Sequence, residues 1–173
     1  MWSLENPAIK NGILAGIASA VFVLLLYLVN PRWIFGFPSY ITTIIIIILM
    51  VQSVKAEKKT LEYTAFSDAL KPAFLTFVIA NLIYIIFYYV LVNFIAPELM
   101  DIQKEITMEM IEKMSGFLGE EGTETAIEQI EARNFDFGLK TAAWTFAFGL
   151  IFPGFIIAAI IAAVMKDRKP VES

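Results

Sequence analysis

Few residues in this chain can do chemistry. Neither histidine nor cysteine occurs among its 173 residues. The usual general base, imidazole metal ligands, thiol nucleophiles and disulfides are therefore excluded. Carboxylates remain, and eleven of the seventeen fall within residues 96–138. Their order lacks the D-x-[DN]-x-[DN]-G pattern of a calcium loop. A cluster of Glu98, Asp101 and Asp136 at one surface is the one arrangement that would support catalysis. No P-loop, dinucleotide fingerprint, zinc site or nucleophile triad is present. The expectation is a non-enzyme that takes no cofactor or metal and does not bind nucleic acid.

The other polar side chains of interest stand inside long apolar runs: Ser19, Thr42, Thr43, Gln52, Thr76, Asn81, Asn93 and Thr145. Asn81 is the costliest of these to bury, and is expected to hydrogen-bond between helices. Past Lys10 and Lys140, near the starts of two runs, none of the runs carries Asp, Glu, Lys or Arg. Proton relays and ion pathways commonly need such groups at depth. Tyr27, Trp33, Tyr40, Tyr84, Tyr88, Tyr89 and Trp144 gather toward one side. They read as an interfacial aromatic belt, or as the lining of a shallow pocket for a lipid or small apolar ligand with Arg32 and Asn93 at its rim.

These residues must be carried by membrane-spanning helices. The chain is 58% hydrophobic, with a mean hydropathy of +0.71, and spanning a hydrocarbon core of about 30 Å takes roughly 20 apolar residues. Four runs qualify: residues 9–29, 34–54, 74–95 and 139–165. The isoleucine-rich second run would suit a strand in water, but a lone strand in lipid leaves peptide groups unbonded, so a helix is expected. Pro38 marks its first true turn, and Pro72 opens the third run. The segment "TLEYTAFSDALKPAF" reads as a short interfacial helix, with Leu61, Phe66, Ala69 and Leu70 toward lipid. The first run lacks the polar end of a cleavable signal and is expected to be retained. The fold class is all-α: a four-helix membrane bundle forming a single domain.

Small residues recur four apart at Gly12, Gly16 and Ala20, and again at Gly154, Ala158 and Ala162. This spacing lets helix backbones approach closely in lipid, and both rows are expected to face protein, with each other as one candidate pairing. Pro153 removes a backbone hydrogen bond and is a candidate kink.

Lysine and arginine set the orientation. Lys10, the cluster "KAEKK", Lys71 and the cluster "KDRK" share one side, so both termini and the 55–73 loop are expected in the cytoplasm. The insert 96–138 then lies outside. Within it Leu99, Ile102, Ile106, Met110, Met114 and Phe117 recur every three or four residues, an amphipathic stripe opposite an acidic face. Gly119 and Gly122 break the pattern. A second helix is expected over residues 123–133, with Thr123 as its N-cap and Ala126, Ile127 and Ile130 inward. The stripe is a candidate face for a partner helix.

Four stretches together resemble the domain-of-unknown-function family 4199, small four-span bacterial membrane proteins. They are "NGILAGIASA", "YTAFSDALKPAFLTFVIANLIYIIFYYVLVNFIAPEL", the acidic insert with "MEMIEKM", and the closing "IIAAIIAAVMKDRK". The resemblance covers nearly the whole chain. It implies the inner membrane of a Gram-negative cell and no catalytic residues. Two functions from different classes follow. The first is a non-catalytic interaction or accessory protein that acts through the outer helical hairpin, with membrane lipids and another membrane or periplasmic protein as partners. The second is a small oligomeric transporter or channel subunit, with a polar path lined by Thr42, Asn81 or Asn93. The oligomeric state and the partner's identity are not legible.

Overall fold

The computed structural model describes residues 5–132 and 135–167, and these residues form helices and connecting turns with no strand. Helix α1, Pro7–Val29, starts where the Asn6 side chain accepts the Ala8 N–H at 2.9 Å, with Pro7 in the first turn. It stops at Asn30, whose extended backbone precedes Pro31; the residue before a proline disfavours helix. Two 3₁₀ turns, Pro31–Phe35 and Phe37–Ser39, lead into α2, Tyr40–Lys58. The second span is therefore shifted toward the C-terminus relative to residues 34–54.

Helix α3, Phe66–Val90, continues through a π-helical turn, Leu91–Ile95. Two expectations are corrected here. Pro72 lies inside α3 rather than opening it, and "TLEYTAFSDALKPAF" is not a separate interfacial helix. Its second half is the first turns of α3, where the Asp68 carboxylate accepts the Ala65 N–H at 3.1 Å. Ala69, expected toward lipid, is fully buried there.

Helices α4, Glu98–Lys113, and α5, Ser115–Ala132, follow. Gly119, at φ 73°, breaks the helical path inside α5, a conformation that favours glycine. Thr123 is not an N-cap. Its hydroxyl donates back to the Gly119 carbonyl at 2.7 Å, within α5. Arg133, the expected end of this helix, lies outside the described residues.

The last span is divided. Helix α6, Leu139–Gly149, and helix α7, Ile156–Met165, are joined by an irregular π-helical stretch, Leu150–Phe155. Phe152 there is extended, at φ −136° and ψ 116°, as the residue before a proline tends to be.

Among the described residues four stretches are long and apolar enough to cross a membrane: Pro7–Val29, Phe37–Lys58, Phe66–Ile95 and Leu139–Met165. The chain has the make-up of a multi-pass membrane protein. Its helices are organised around α3, which packs against α1, α2, α6 and α7. The two small-residue rows both serve this mast. A Cβ on Gly12 would stand 2.8 Å from Ile79 Cβ, and one on Gly16 would stand 2.7 Å from Ile83 Cβ. A Cβ on Gly154 would overlap the Phe77 ring. Ala158 and Ala162 join Ala69, Ala73 and Phe77 of α3 in one buried cluster with Met50 and Val54 of α2. The rows do not pair with each other: among the described residues, no α-carbon of α1 comes within 8 Å of one in α7.

A side-chain knot, absent from the sequence reading, ties the first three helices. Asn11 Nδ2 on α1 donates to Ser53 Oγ on α2 at 3.0 Å, and Thr76 Oγ1 on α3 lies 2.7 Å from Ser53 Oγ. Thr76 Oγ1 also lies 3.2 Å from the Ala8 carbonyl of α1. In lipid no water competes for these groups, and each such bond contributes about 0.6 kcal/mol, up to roughly 2.

Replacing Gly16 with Leu should destabilise the protein by about 1–3 kcal/mol through overpacking, because the added carbon meets Ile83 Cβ and not the end of a flexible side chain. Gly116→Ala, where nothing lies within 4 Å of the new carbon, should leave the melting temperature in detergent unchanged or raised. Thermal unfolding followed by size-exclusion chromatography compares the two.

Candidate functional site: a helical platform and an intramembrane cleft

The two ends of the bundle differ in chemistry. At the end carrying Lys58, the Lys58 ammonium donates to Asp167 Oδ1 and to the Met165 carbonyl, both at 2.7 Å. Asp167 Oδ2 accepts the Thr64 N–H at 2.8 Å. Asp167 thus fastens the end of α7 to the loop between α2 and α3. The Lys58 hydrogen bond, followed by the Thr64 amide, holds its carboxyl below the usual carboxylate range.

The opposite end carries Arg32. Its guanidinium forks between Glu105, at 3.1 Å, and Glu109, carboxylates four residues apart on α4. Tyr27 at the end of α1 donates its hydroxyl to Glu98 Oε1 at 2.7 Å, and this bond is the main cause of the lowered pKa of Glu98. Arg32 and Glu109 are each about 40% exposed, so water screens these ion pairs and they add little to stability. Burial does more. Leu99 is wholly enclosed with Val23, Leu26, Ile34, Leu91, Val92 and Ala96, and Ile102 packs against the same cluster. Leu99 is therefore removed from the candidate partner face, and Ile102 is largely used within the chain.

The far half of the stripe has no such cover. Met110 is 59% exposed, Met114 51% and Phe117 95%. Helix α5 returns beside α4, where Lys104 Nζ donates to the Glu131 carbonyl at 3.1 Å. Together the helices form a platform with an apolar tip. Among the described residues no three carboxylates gather closely enough to hold a metal ion, so Glu98, Asp101 and Asp136 do not form such a cluster.

The second feature is a cleft of about 710 Å³ within the spans. One wall is α2, through Tyr40, Thr42, Thr43, Ile46 and Ile47, and its back is α3, through Phe77, Asn81, Tyr84 and Ile85. The other wall is the divided span, through Trp144, Thr145, Phe148, Gly149, Phe152, Pro153 and Ile157. The cleft exists because α6 packs on α3 and not on α2: no described α-carbon of α2 lies within 8 Å of one in α6. Along α2 the hydroxyls of Tyr40, Thr42 and Thr43 stand nearer in sequence to Arg32 than Ile46 and Ile47 do.

This composition corrects the aromatic expectation. Tyr40, Tyr84 and Trp144 line the cleft, whereas Tyr27, Trp33, Tyr88 and Tyr89 do not, and neither Arg32 nor Asn93 is at its rim. Asn93 lies in the π-helical turn, where its amide donates to the Tyr89 carbonyl at 2.9 Å and the Phe137 carbonyl at 3.0 Å. Tyr88 meets Phe137 edge-on, with ring centres 5.0 Å apart. These contacts fix the start of the last span.

Asn81 reverses its expectation. Its amide nitrogen is buried with no acceptor among the described residues and is pressed so closely on Gly149 that a Cβ there would stand 3.1 Å from it. An unmet buried donor costs about 1–3 kcal/mol. Asn81 was visible in the sequence as a polar residue in an apolar run. That α6 would meet it through a glycine, with no acceptor, was not.

Stability at the Lys58 end should depend on pH. The folded pKa of Asp167 is depressed, so its contribution is present above the usual carboxylate pKa and is lost as pH falls through the depressed value. Amide exchange at Thr64, corrected for intrinsic rate, should be slow at neutral pH and should quicken in that acidic window. In Asp167→Asn it should be fast throughout.

A family model described as "Protein of unknown function (DUF4199)" matches residues 10–167, and the chain belongs to that family. No curated protein and no solved structure matches it.

Proposed function

We propose that this member of the DUF4199 family is a non-catalytic accessory protein of the bacterial inner membrane that acts through its outer helical hairpin. Both termini and the 55–73 loop lie in the cytoplasm, where the lysine-rich clusters are retained. Helices α4 and α5 then project on the far side as an acidic hairpin. Its partner is another membrane or periplasmic protein.

One observation carries this reading. The apolar stripe is split between two uses, with Leu99 of α4 enclosed at its root and Met110 of α4, Met114 at the α4 C-cap and Phe117 of α5 exposed at its tip. The root holds the hairpin to the bundle. The tip offers flexible, polarizable methionines and one aromatic ring, a surface that adapts to a partner helix. Arg32 sets the angle of α4 by pairing with Glu105 and Glu109.

The absence of cysteine makes the test clean. In intact cells a membrane-impermeant maleimide should label Phe117→Cys, and should reach Lys59→Cys only after permeabilisation. A photo-crosslinking residue at Phe117 should form one discrete protein adduct in native membranes, and the same residue at Leu99 should form none. Labelling of Phe117→Cys from the cytosolic side alone would overturn the orientation. Lipid-only adducts at positions 110, 114 and 117 would overturn the partner.

A further inference from the structure

The cleft is independent of the hairpin and has chemistry of its own. We infer that the space between α2, α3 and α6 binds an uncharged, carbonyl-bearing lipid that enters sideways from the bilayer. Four observations converge on this ligand. The volume, about 710 Å³, falls within the range of small-molecule sites, which spans roughly 300–1,000 Å³. The side toward lipid is open, because α6 stands apart from α2. Among the described residues no Asp, Glu, Lys or Arg lines the space, so a charged headgroup placed there would lose its water with nothing in return.

The fourth observation is Asn81. Its amide nitrogen has no acceptor and rests on Gly149, in a cleft wall that Phe152 and Pro153 interrupt. The terminal torsion of asparagine is soft and broad, so a small rotation turns this donor from Gly149 into the cleft. There a ligand carbonyl accepts it. Irregular backbone at membrane depth is tolerated where it is buried in protein or lines a cavity, and the break beside Phe152 lines this one. The ligand's polar group lies among the hydroxyls near Thr43 and Thr145, and its apolar body lies against Phe77 and Ile157.

Two sources of this carbonyl are distinguishable: the ring of an isoprenoid quinone and the ester of a diacylglycerol. Trp2→Phe combined with Trp33→Phe leaves Trp144, in the cleft wall, as the sole tryptophan. In phosphatidylcholine nanodiscs its fluorescence is followed while a short-chain naphthoquinone or a dibrominated diacylglycerol is titrated. Saturable quenching by one of them supports the site and identifies the source. Asn81→Leu should weaken that binding about fivefold to tenfold, while the ligand-free variant melts no lower than its parent because an unmet donor has been removed. Thr43→Phe should fill the cleft and abolish saturation. Three results would overturn the inference: quenching that never saturates; an Asn81→Leu variant that binds normally but melts lower, which assigns Asn81 a structural role only; or Thr145→Cys forming a disulfide-linked dimer without saturable quenching, which assigns the space to a second copy.

Discussion

The structure depends on how closely α1 can approach α3. In hydrocarbon, apolar side chains gain nothing by leaving lipid for one another, so helices associate through packing and the few hydrogen bonds available. Gly12 and Gly16 allow α1 to lie so near α3 that a methyl group at either position would collide with an isoleucine. That approach brings Asn11, Ser53 and Thr76 together across three helices. The result is a knotted triad of α1, α2 and α3.

The fourth span is held differently. Its lower half, α7, repeats the small-residue solution with Gly154, Ala158 and Ala162 against Phe77 and the alanines of α3. Asp167 then locks its end through Lys58 and Thr64. Its upper half, α6, meets α3 but, among the described residues, no other span. Phe152 and Pro153 uncouple the two halves, because an extended residue before a proline ends the hydrogen-bond ladder between them. One end of the molecule is consequently closed and the other stands open as a cleft. The platform of α4 and α5 is seated by Leu99, Arg32 and Tyr27, and none of its residues lines the cleft.

Much of the architecture was legible because it follows from local rules. Four apolar runs announce four helices, and glycines four apart announce close approach. The amphipathic stripe announces a helix covered at its Leu99 end, although α4 stops at Lys113 and the stripe runs on through Met114 into α5. What failed depended on tertiary context. Pro72 reads as a helix start, yet α3 absorbs it in its second turn because Asp68 already caps the chain at Ala65. Thr123 has the chemistry of an N-cap, but α5 begins earlier and uses the hydroxyl internally. The rows at Gly12 and Gly154 look like natural mates, since periodicity shows that a face is small without showing its neighbour. The cleft was hidden for the same reason. It is defined by helices that do not touch, and no spacing in one segment reports the absence of another.

Cysteine pairs in this naturally cysteine-free chain test the central arrangement directly. Ala15 and Ala80 share one buried cluster, whereas no described α-carbon pair between α2 and α6 lies within 8 Å, and a disulfide needs α-carbons within about 7 Å. Oxidation in native membranes should join Ala15→Cys to Ala80→Cys rapidly and leave Thr43→Cys and Thr145→Cys unjoined. A ready bond between the second pair, with none between the first, would contradict a mast at α3 and the open side that follows from it.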